Sequence, residues 1–155
     1  MAINIVLVEP EIPQNTGNII RTCACTNSNL HLIRPLGFSL DEKHLKRSGL
    51  DYSDLVNLKV YDNFEEFEKA NPGTYYLFTT KTNRLYTDAV YEDNCYLIFG
   101  KETKGLSPEI KDKYKEGLIR LPMVNSERAR SLNLSNAVAI STFEALRQIN
   151  PPELV

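Results

Sequence analysis

The chain alternates short, strongly apolar runs with segments of helical pattern, and this alternation limits the folds open to it. The apolar runs occupy residues 3–8, 30–34, 75–80, 95–99 and 117–121, with a shorter candidate at residues 60–61. Continuous apolar runs are typical of strands in a parallel sheet, which is covered on both faces. Strands that alternate with helices build an α/β domain. We therefore predict an α/β fold with a mainly parallel sheet and helices on both faces.

Helical segments are predicted between these runs, most of them behind a residue type that caps helices. They begin at Asn15 or Thr16 and run to about Thr26, cover residues 41–48, follow Asn63 over residues 64–70, and begin again at Ser107-Pro108. Residues 81–91 are predicted to form a polar loop or a weak helix.

The last predicted helix begins near Ser135 and has a broad apolar arc. The apolar arc holds Leu134, Val138, Ala139, Phe143, Ala145, Leu146 and Ile149, and the polar arc holds Asn136, Ser141, Glu144, Arg147 and Gln148. Its entry, SLNLSN at residues 131–136, offers several polar groups where one cap would satisfy the free amides. On these residues alone, an over-capped helix start is the simpler interpretation.

Unusual loops follow four of the predicted strands, after Val8, Thr80, Phe99 and Leu121. Ligands of parallel sheets bind beyond the carboxyl ends of the strands. The sequence therefore predicts that these loops meet at one site. The loop FGKETKGLS contains Gly100 and Gly105, but its spacing matches neither the dinucleotide nor the phosphate-loop motif, so a dinucleotide-binding fold or an NTPase is not expected.

Composition predicts one domain, residues 1–155, without a membrane span or a signal peptide. The three cysteines and two histidines form no metal-ligand spacing. The thiols are expected to be buried in a reducing cytoplasm. The net charge is −2. If the protein binds nucleic acid, its lysines and arginines must therefore be concentrated on one face, or two copies must combine their basic faces in a dimer. Lys46-Arg47 is one candidate phosphate contact, although a solvated face is the usual outcome.

No Ser-His-Asp set, Cys-His set or paired buried carboxylates are evident. Chemistry that depends mainly on positioning remains, such as group transfer from an activated donor. On their own, Arg21 fits a solvated or ion-paired residue, and a turn beside Glu102 fits an ordinary surface loop.

Three motifs in order nevertheless resemble a known family: PEIPQNTGNIIRTCA, then YLIFGKETKGLS, then IRLPM followed by RSLNLSNAVAI. They resemble the motifs of the SPOUT class of RNA methyltransferases, and specifically its small single-domain tRNA (cytidine/uridine-34)-2'-O-methyltransferases. The resemblance covers essentially the whole chain, including GLDY at residues 49–52 and FTTK at residues 78–81.

The resemblance implies a deep C-terminal trefoil knot, bound S-adenosyl-L-methionine, and a homodimer built on the first and last helices that binds the anticodon stem-loop of tRNA. It implies catalytic roles for Asn15 and Arg21. It implies that the cofactor site is formed or supported by Phe78, Thr79, Gly100, Glu102, Gly105, Leu121, Met123, Ser131, Leu132 and Asn136. Because a guanidinium stays charged, Arg21 is expected to orient the ribose hydroxyl and to stabilise oxyanion charge.

The resemblance leaves alternatives open. The loop at residues 124–130, VNSERAR, is longer and more charged than in compact members of the family, so its role in substrate choice is open. The target could be ribosomal RNA or another tRNA position. A non-catalytic nucleotide-binding α/β module is the alternative from another functional class.

Overall fold

A computed structural model describes residues 3–40, 54–129 and 131–155. Its strands are β1 (Asn4–Val8), β2 (Asn29–Ile33), β3 (Leu58–Tyr61), β4 (Tyr75–Phe78), β5 (Tyr96–Phe99) and β6 (Leu118–Ile119). Its α-helices are α1 (Pro13–Thr26), α2 (Phe64–Ala70), α3 (Pro108–Lys113) and α4 (Leu134–Ile149), with 3₁₀ turns at Tyr86–Asp88 and Lys115–Gly117. The helix predicted at residues 41–48, Lys46-Arg47 and the GLDY motif lie outside the described residues.

The six strands form one sheet in the order β3-β2-β1-β5-β4-β6, and every described pair is parallel. β1 lies at the centre, between β2 and β5. All strands therefore end at the same edge of the sheet, and the predicted α/β fold is confirmed. Strand order alone does not determine how the segment after β6 is threaded, so the trefoil knot stays a prediction.

The sheet is buried on both faces, as the apolar runs predict. Along β1, Ile5 and Leu7 belong to one core, and Val6 and Val8 belong to the other. This division follows from the alternation of side chains along a strand. The first core includes residues of α1 and α4, and the second is closed by Phe67 of α2.

Two predicted caps are confirmed and one is wrong. The side chain of Asn63 accepts from the Glu66 amide at the start of α2, and that of Ser107 accepts from the Ile110 amide at the start of α3. The first helix starts before Asn15, at Pro13 with Ile12 as the N-cap residue. Proline fits the first helical position, where its missing N–H is not needed.

The predicted faces of the last helix need two corrections. Ser141, placed on the polar arc, is fully buried, whereas Phe143, placed on the apolar arc, is 58% exposed. α4 packs on α1, and the position of α1 decides which side of α4 is buried. The Ser141 hydroxyl donates to the Ala137 carbonyl at 2.7 Å, which allows it to be buried.

The cysteine prediction also needs a correction. Cys23 and Cys95 are buried free thiols, but Cys25 is exposed. Residues two apart on a helix point in different directions, so α1 cannot bury Cys23 and Cys25 on the same face.

Candidate active site

A cavity of about 730 Å³ opens at the edge of the sheet where the strands end. It lies beyond the carboxyl ends of β4, β5 and β6 and beside the starts of α1 and α4. Its lining includes most of the predicted site residues: Asn15, Phe78, Thr79, Gly100, Glu102, Gly105, Leu121, Met123, Ser131 and Leu132. Residues far apart in the chain thus meet at one place, as the loop positions predict.

The loop after β5 is a tight turn that requires glycine at two positions. Gly105 has a φ of +69°, and its amide donates to the Lys101 carbonyl at 2.9 Å. A Cβ atom on Gly100 would lie 2.1 Å from the carbonyl carbon of Gly105. The two glycines therefore allow the turn to fold back on the end of the strand.

The Glu102 carboxylate joins this loop to the start of α1. It accepts hydrogen bonds from the amides of Glu11 at 2.8 Å and Ile12 at 2.9 Å, and from the Asn15 side chain at 3.1 Å. Ile12 has no side chain that can cap the helix. Glu102 therefore supplies the cap from another loop, where a negative charge also suits the helix dipole.

Asn15 continues this polar chain to α4. Its side chain is 5% exposed, and its Oδ1 accepts from Nδ2 of Asn133 at 3.1 Å. Oδ1 of Asn133 in turn accepts from the Asn136 amide at 3.2 Å and the Ser135 hydroxyl at 2.6 Å. The chain Glu102–Asn15–Asn133 thereby fixes the loop after β5 and the starts of two helices relative to one another.

A second link joins the loops that follow β1 and β5. The Glu11 carboxylate accepts from the amide and the hydroxyl of Thr103, at 3.0 Å and 2.8 Å. These hydrogen bonds, with smaller contributions from Lys101 and Lys104, hold the pKa of Glu11 below its ordinary value. Glu11 therefore remains a carboxylate in neutral solution.

The interior of the cavity is mixed in character. The rings of Phe78 and Phe99 stack with their centroids 4.4 Å apart at the ends of β4 and β5. Leu121 is buried, whereas Leu132 is 42% exposed. Apolar walls with a few fixed polar groups, in a space of this volume, are typical of a site for a small organic ligand.

Two predicted site residues do not line the cavity. Asn136 lies in the first turn of α4, where its amide bonds to the cap residue Asn133. Arg21 is exposed on α1, about 9 Å further along the helix axis than Asn15. For Arg21 to act in catalysis, the acceptor nucleotide must therefore extend from the cavity to Arg21, or a second copy of the chain must bring a cavity close to it.

Sequence reasoning missed Asn133 as the residue that connects the two helices. Its signal was the polar segment at residues 131–136, which was interpreted as an excess of capping groups. The structure gives Asn133 two tasks, because it caps α4 with its Oδ1 and bonds Asn15 with its Nδ2.

His31 lies away from this site, within the sheet. Its ring bonds to the Tyr61 hydroxyl at 2.9 Å and to Oδ1 of Asn4 at 3.1 Å, and burial lowers its pKa to about 4. It is therefore a neutral structural residue.

Within residues 3–40, 54–129 and 131–155, no group of three or more His, Cys, Asp or Glu side chains could hold a metal ion. No helix in that part of the chain is long and apolar enough to span a membrane.

A sequence model of the SpoU rRNA Methylase family matches residues 2–143. The tRNA (cytidine(34)-2'-O)-methyltransferase of Escherichia coli strain K12 is 46% identical over 155 residues, which cover 99% of this chain and 98% of that relative. The tRNA (cytidine(34)-2'-O)-methyltransferase of Burkholderia pseudomallei strain 1106a is 46% identical over 149 residues, covering 94% of each chain.

Solved structures give the same result. A structure that concerns the 2-OH methylation of C/U34 on tRNA has a TM-score of 0.90 at 40% identity, covering 96% of this chain and 97% of the other. The SpoU methyltransferase AviRb of Streptomyces viridochromogenes, solved in complex with AdoMet, shares the fold with a TM-score of 0.83 at 21% identity, covering 96% of this chain and 61% of its own. The match over most of the sequence, together with the full-length identity to these relatives, shows that this chain belongs to the SpoU methylase family.

Proposed function

We propose that this protein transfers a methyl group from S-adenosyl-L-methionine to the ribose 2'-hydroxyl of nucleotide 34, a cytidine or modified uridine, in tRNA. The observation that carries the proposal is the 46% identity to the E. coli tRNA (cytidine(34)-2'-O)-methyltransferase over 99% of this chain. The polar chain Glu102–Asn15–Asn133 supports it, because it holds fixed polar groups beside an organic-ligand cavity.

The cavity fits the proposed cofactor. Its volume of about 730 Å³ lies within the range usual for small-molecule sites, and its lining combines aromatic and aliphatic side chains with the half-buried Gly100. The residues proposed to hold the cofactor are Phe78, Thr79, Gly100, Leu121, Met123, Ser131 and Leu132, with Glu102 and Gly105 shaping the loop. When bound, S-adenosyl-L-methionine supplies an electrophilic methyl group.

Because the methyl donor is already activated, the main task of the protein's own residues is to hold the ribose 2'-hydroxyl in line with the donor. Asn15 is buried and held at both ends of its amide, so its proposed catalytic role is to keep the groups around the acceptor in fixed positions. Arg21 is proposed to orient the ribose 2'-hydroxyl and to stabilise the negative charge that develops on its oxygen. The proton of the hydroxyl leaves to solvent, because a guanidinium cannot accept it.

We propose a homodimer that packs on α1 and α4, and the cytoplasm as the place of action. Ile140 and Phe143 on α4 are 43% and 58% exposed, which favours burial against a second copy. A dimer would also double the cations available to RNA in a chain of net charge −2. The three cysteines are free thiols, which suits a reducing compartment.

A methyl-transfer assay tests the proposal. The purified protein, S-adenosyl-L-methionine carrying a labelled methyl group, and tRNA from cells that lack ribose methylation at nucleotide 34 are combined, and the modified nucleotide is mapped. We expect the label on the 2'-oxygen of nucleotide 34. A label at another tRNA position or on ribosomal RNA would reassign the substrate. Absence of both transfer and cofactor binding by calorimetry would instead indicate a non-catalytic binding module.

A further inference from the structure

The rim of the cavity carries an excess of positive charge. Lys81, Lys101, Lys104, Lys111 and Arg120 all contribute to its lining, and among the described lining residues Glu102 is the one carboxylate. Both oxygens of Glu102 already accept N–H groups at the start of α1. In a chain with a net charge of −2, this is a marked local concentration of cations.

Two of these cations are engaged within the protein. Lys101 pairs with Glu9 at 3.5 Å, and the Arg120 guanidinium donates to the Thr80 carbonyl at 3.1 Å. Lys81, Lys104 and Lys111 differ, because the described part of the chain contains no carboxylate within ion-pair distance of them. Lys104 interacts with the Glu11 carboxylate only at longer range. They come from three separate elements: the loop after β4, the loop after β5, and helix α3. We call these three residues the lysine rim.

We propose that the lysine rim binds backbone phosphates of the substrate RNA on either side of the nucleotide that enters the cavity. This inference rests on the proposed function. It adds to the cofactor site a separate set of contacts to the RNA backbone. Lysine is a point charge with three donors, which suits phosphate oxygens that carry no sequence information. Lysines on three elements around one opening can hold an RNA strand across it, whereas an isolated surface lysine contributes little.

The test measures the affinity of an unmodified tRNA transcript as salt rises from 50 to 200 mM, for the wild-type protein and for the variant K81Q/K104Q/K111Q. Each phosphate contact contributes about 0.7 to the slope of log affinity against log salt for a single strand. We expect the variant to lose about 2 from that slope, so that its affinity falls about 16-fold less over this fourfold rise in salt. Affinity for S-adenosyl-L-methionine should stay within about twofold of wild type.

A matched control removes the same charge elsewhere. Lys59 lies on the far edge strand β3, and Lys69 and Lys115 precede the amino ends of β4 and β6, away from the cavity. The variant K59Q/K69Q/K115Q should keep the wild-type slope. An equal loss of slope in both variants would show a general charge effect and overturn the proposal.

Other outcomes separate this inference from the proposed function. A wild-type slope for the rim variant, while the wild-type protein methylates nucleotide 34, would overturn the rim and leave the function standing. If the rim variant showed the reduced slope but the wild-type protein did not methylate nucleotide 34, the lysine rim would stand and the proposed function would be overturned. If the variant K81Q/K104Q/K111Q bound tRNA like the wild-type protein but no longer bound polyglutamate, the lysine rim would bind an acidic protein and not RNA. If the variant lost affinity for S-adenosyl-L-methionine as much as for tRNA, the three lysines would belong to the cofactor site.

Discussion

At the scale of single residues, Arg21 separates binding from catalysis. It lies on α1 outside the cavity lining, so we expect Arg21→Ala to keep the affinity for S-adenosyl-L-methionine within about twofold. Loss of a charged group that stabilises an oxyanion should lower methyl transfer about a hundredfold or more. Calorimetry and single-turnover transfer measure the two effects, with Arg34→Ala, an exposed arginine paired with Asp62, as the control. Equal losses of binding and transfer would place Arg21 in the cofactor site instead.

Glu102 allows a stability prediction at the same scale. Glu102→Gln keeps the shape of the side chain but replaces one accepting oxygen with a donor group, which faces the amides at the start of α1. We expect the free energy of unfolding to fall by about 1–2 kcal/mol, in line with the loss of a helix cap. Urea unfolding checks this, with Glu153→Gln at an exposed position near the C-terminus as the control. Identical unfolding midpoints in the two variants would show that Glu102 does not cap α1.

At the scale of elements, the start of α4 both ends a loop and positions the site. Asn133→Ala and Asn63→Ala each remove a side chain that caps a helix, and each should cost about 1 kcal/mol of stability. Asn133 also bonds Asn15 and follows the cavity residues Ser131 and Leu132. We therefore expect only Asn133→Ala to weaken cofactor binding, by about tenfold in calorimetry. Wild-type cofactor affinity in Asn133→Ala would limit its role to capping.

The same elements show how far sequence patterns reach. Apolar runs predict strands, and parallel strands end at one edge, so the meeting of the loops after β4, β5 and β6 could be predicted. The bond between Asn133 and Asn15 could not, because it joins residues 118 apart through side-chain positions that only the packed fold defines. The exposure of Phe143 was missed for a related reason, since the buried face of α4 depends on where α1 lies.

At the scale of the whole molecule, the interior of the sheet provides stability and the edge where its strands end provides binding. Its two-sided core uses apolar residues of every strand, while the polar chain and the lysine rim occupy the edge where strands end. Substitutions in the interior of the strands should therefore lower stability. Substitutions at the edge should lower binding, with an added loss of stability where the side chain caps a helix, as Glu102 and Asn133 do. The family resemblance of the three motifs is confirmed by the match to residues 2–143, and the motifs contribute to this edge.

The proposed dimer gives the prediction for the whole molecule. Phe143 is 58% exposed on α4, and a charge placed there would be costly to bury in an interface between two copies. We expect sedimentation to give a dimer for the wild-type protein and a monomer for Phe143→Glu, with unchanged circular dichroism and strongly reduced transfer to tRNA. Val90→Glu, at a residue 76% exposed outside the helices, should remain dimeric and active. A dimer that persists in Phe143→Glu would overturn the placement of the interface on α4.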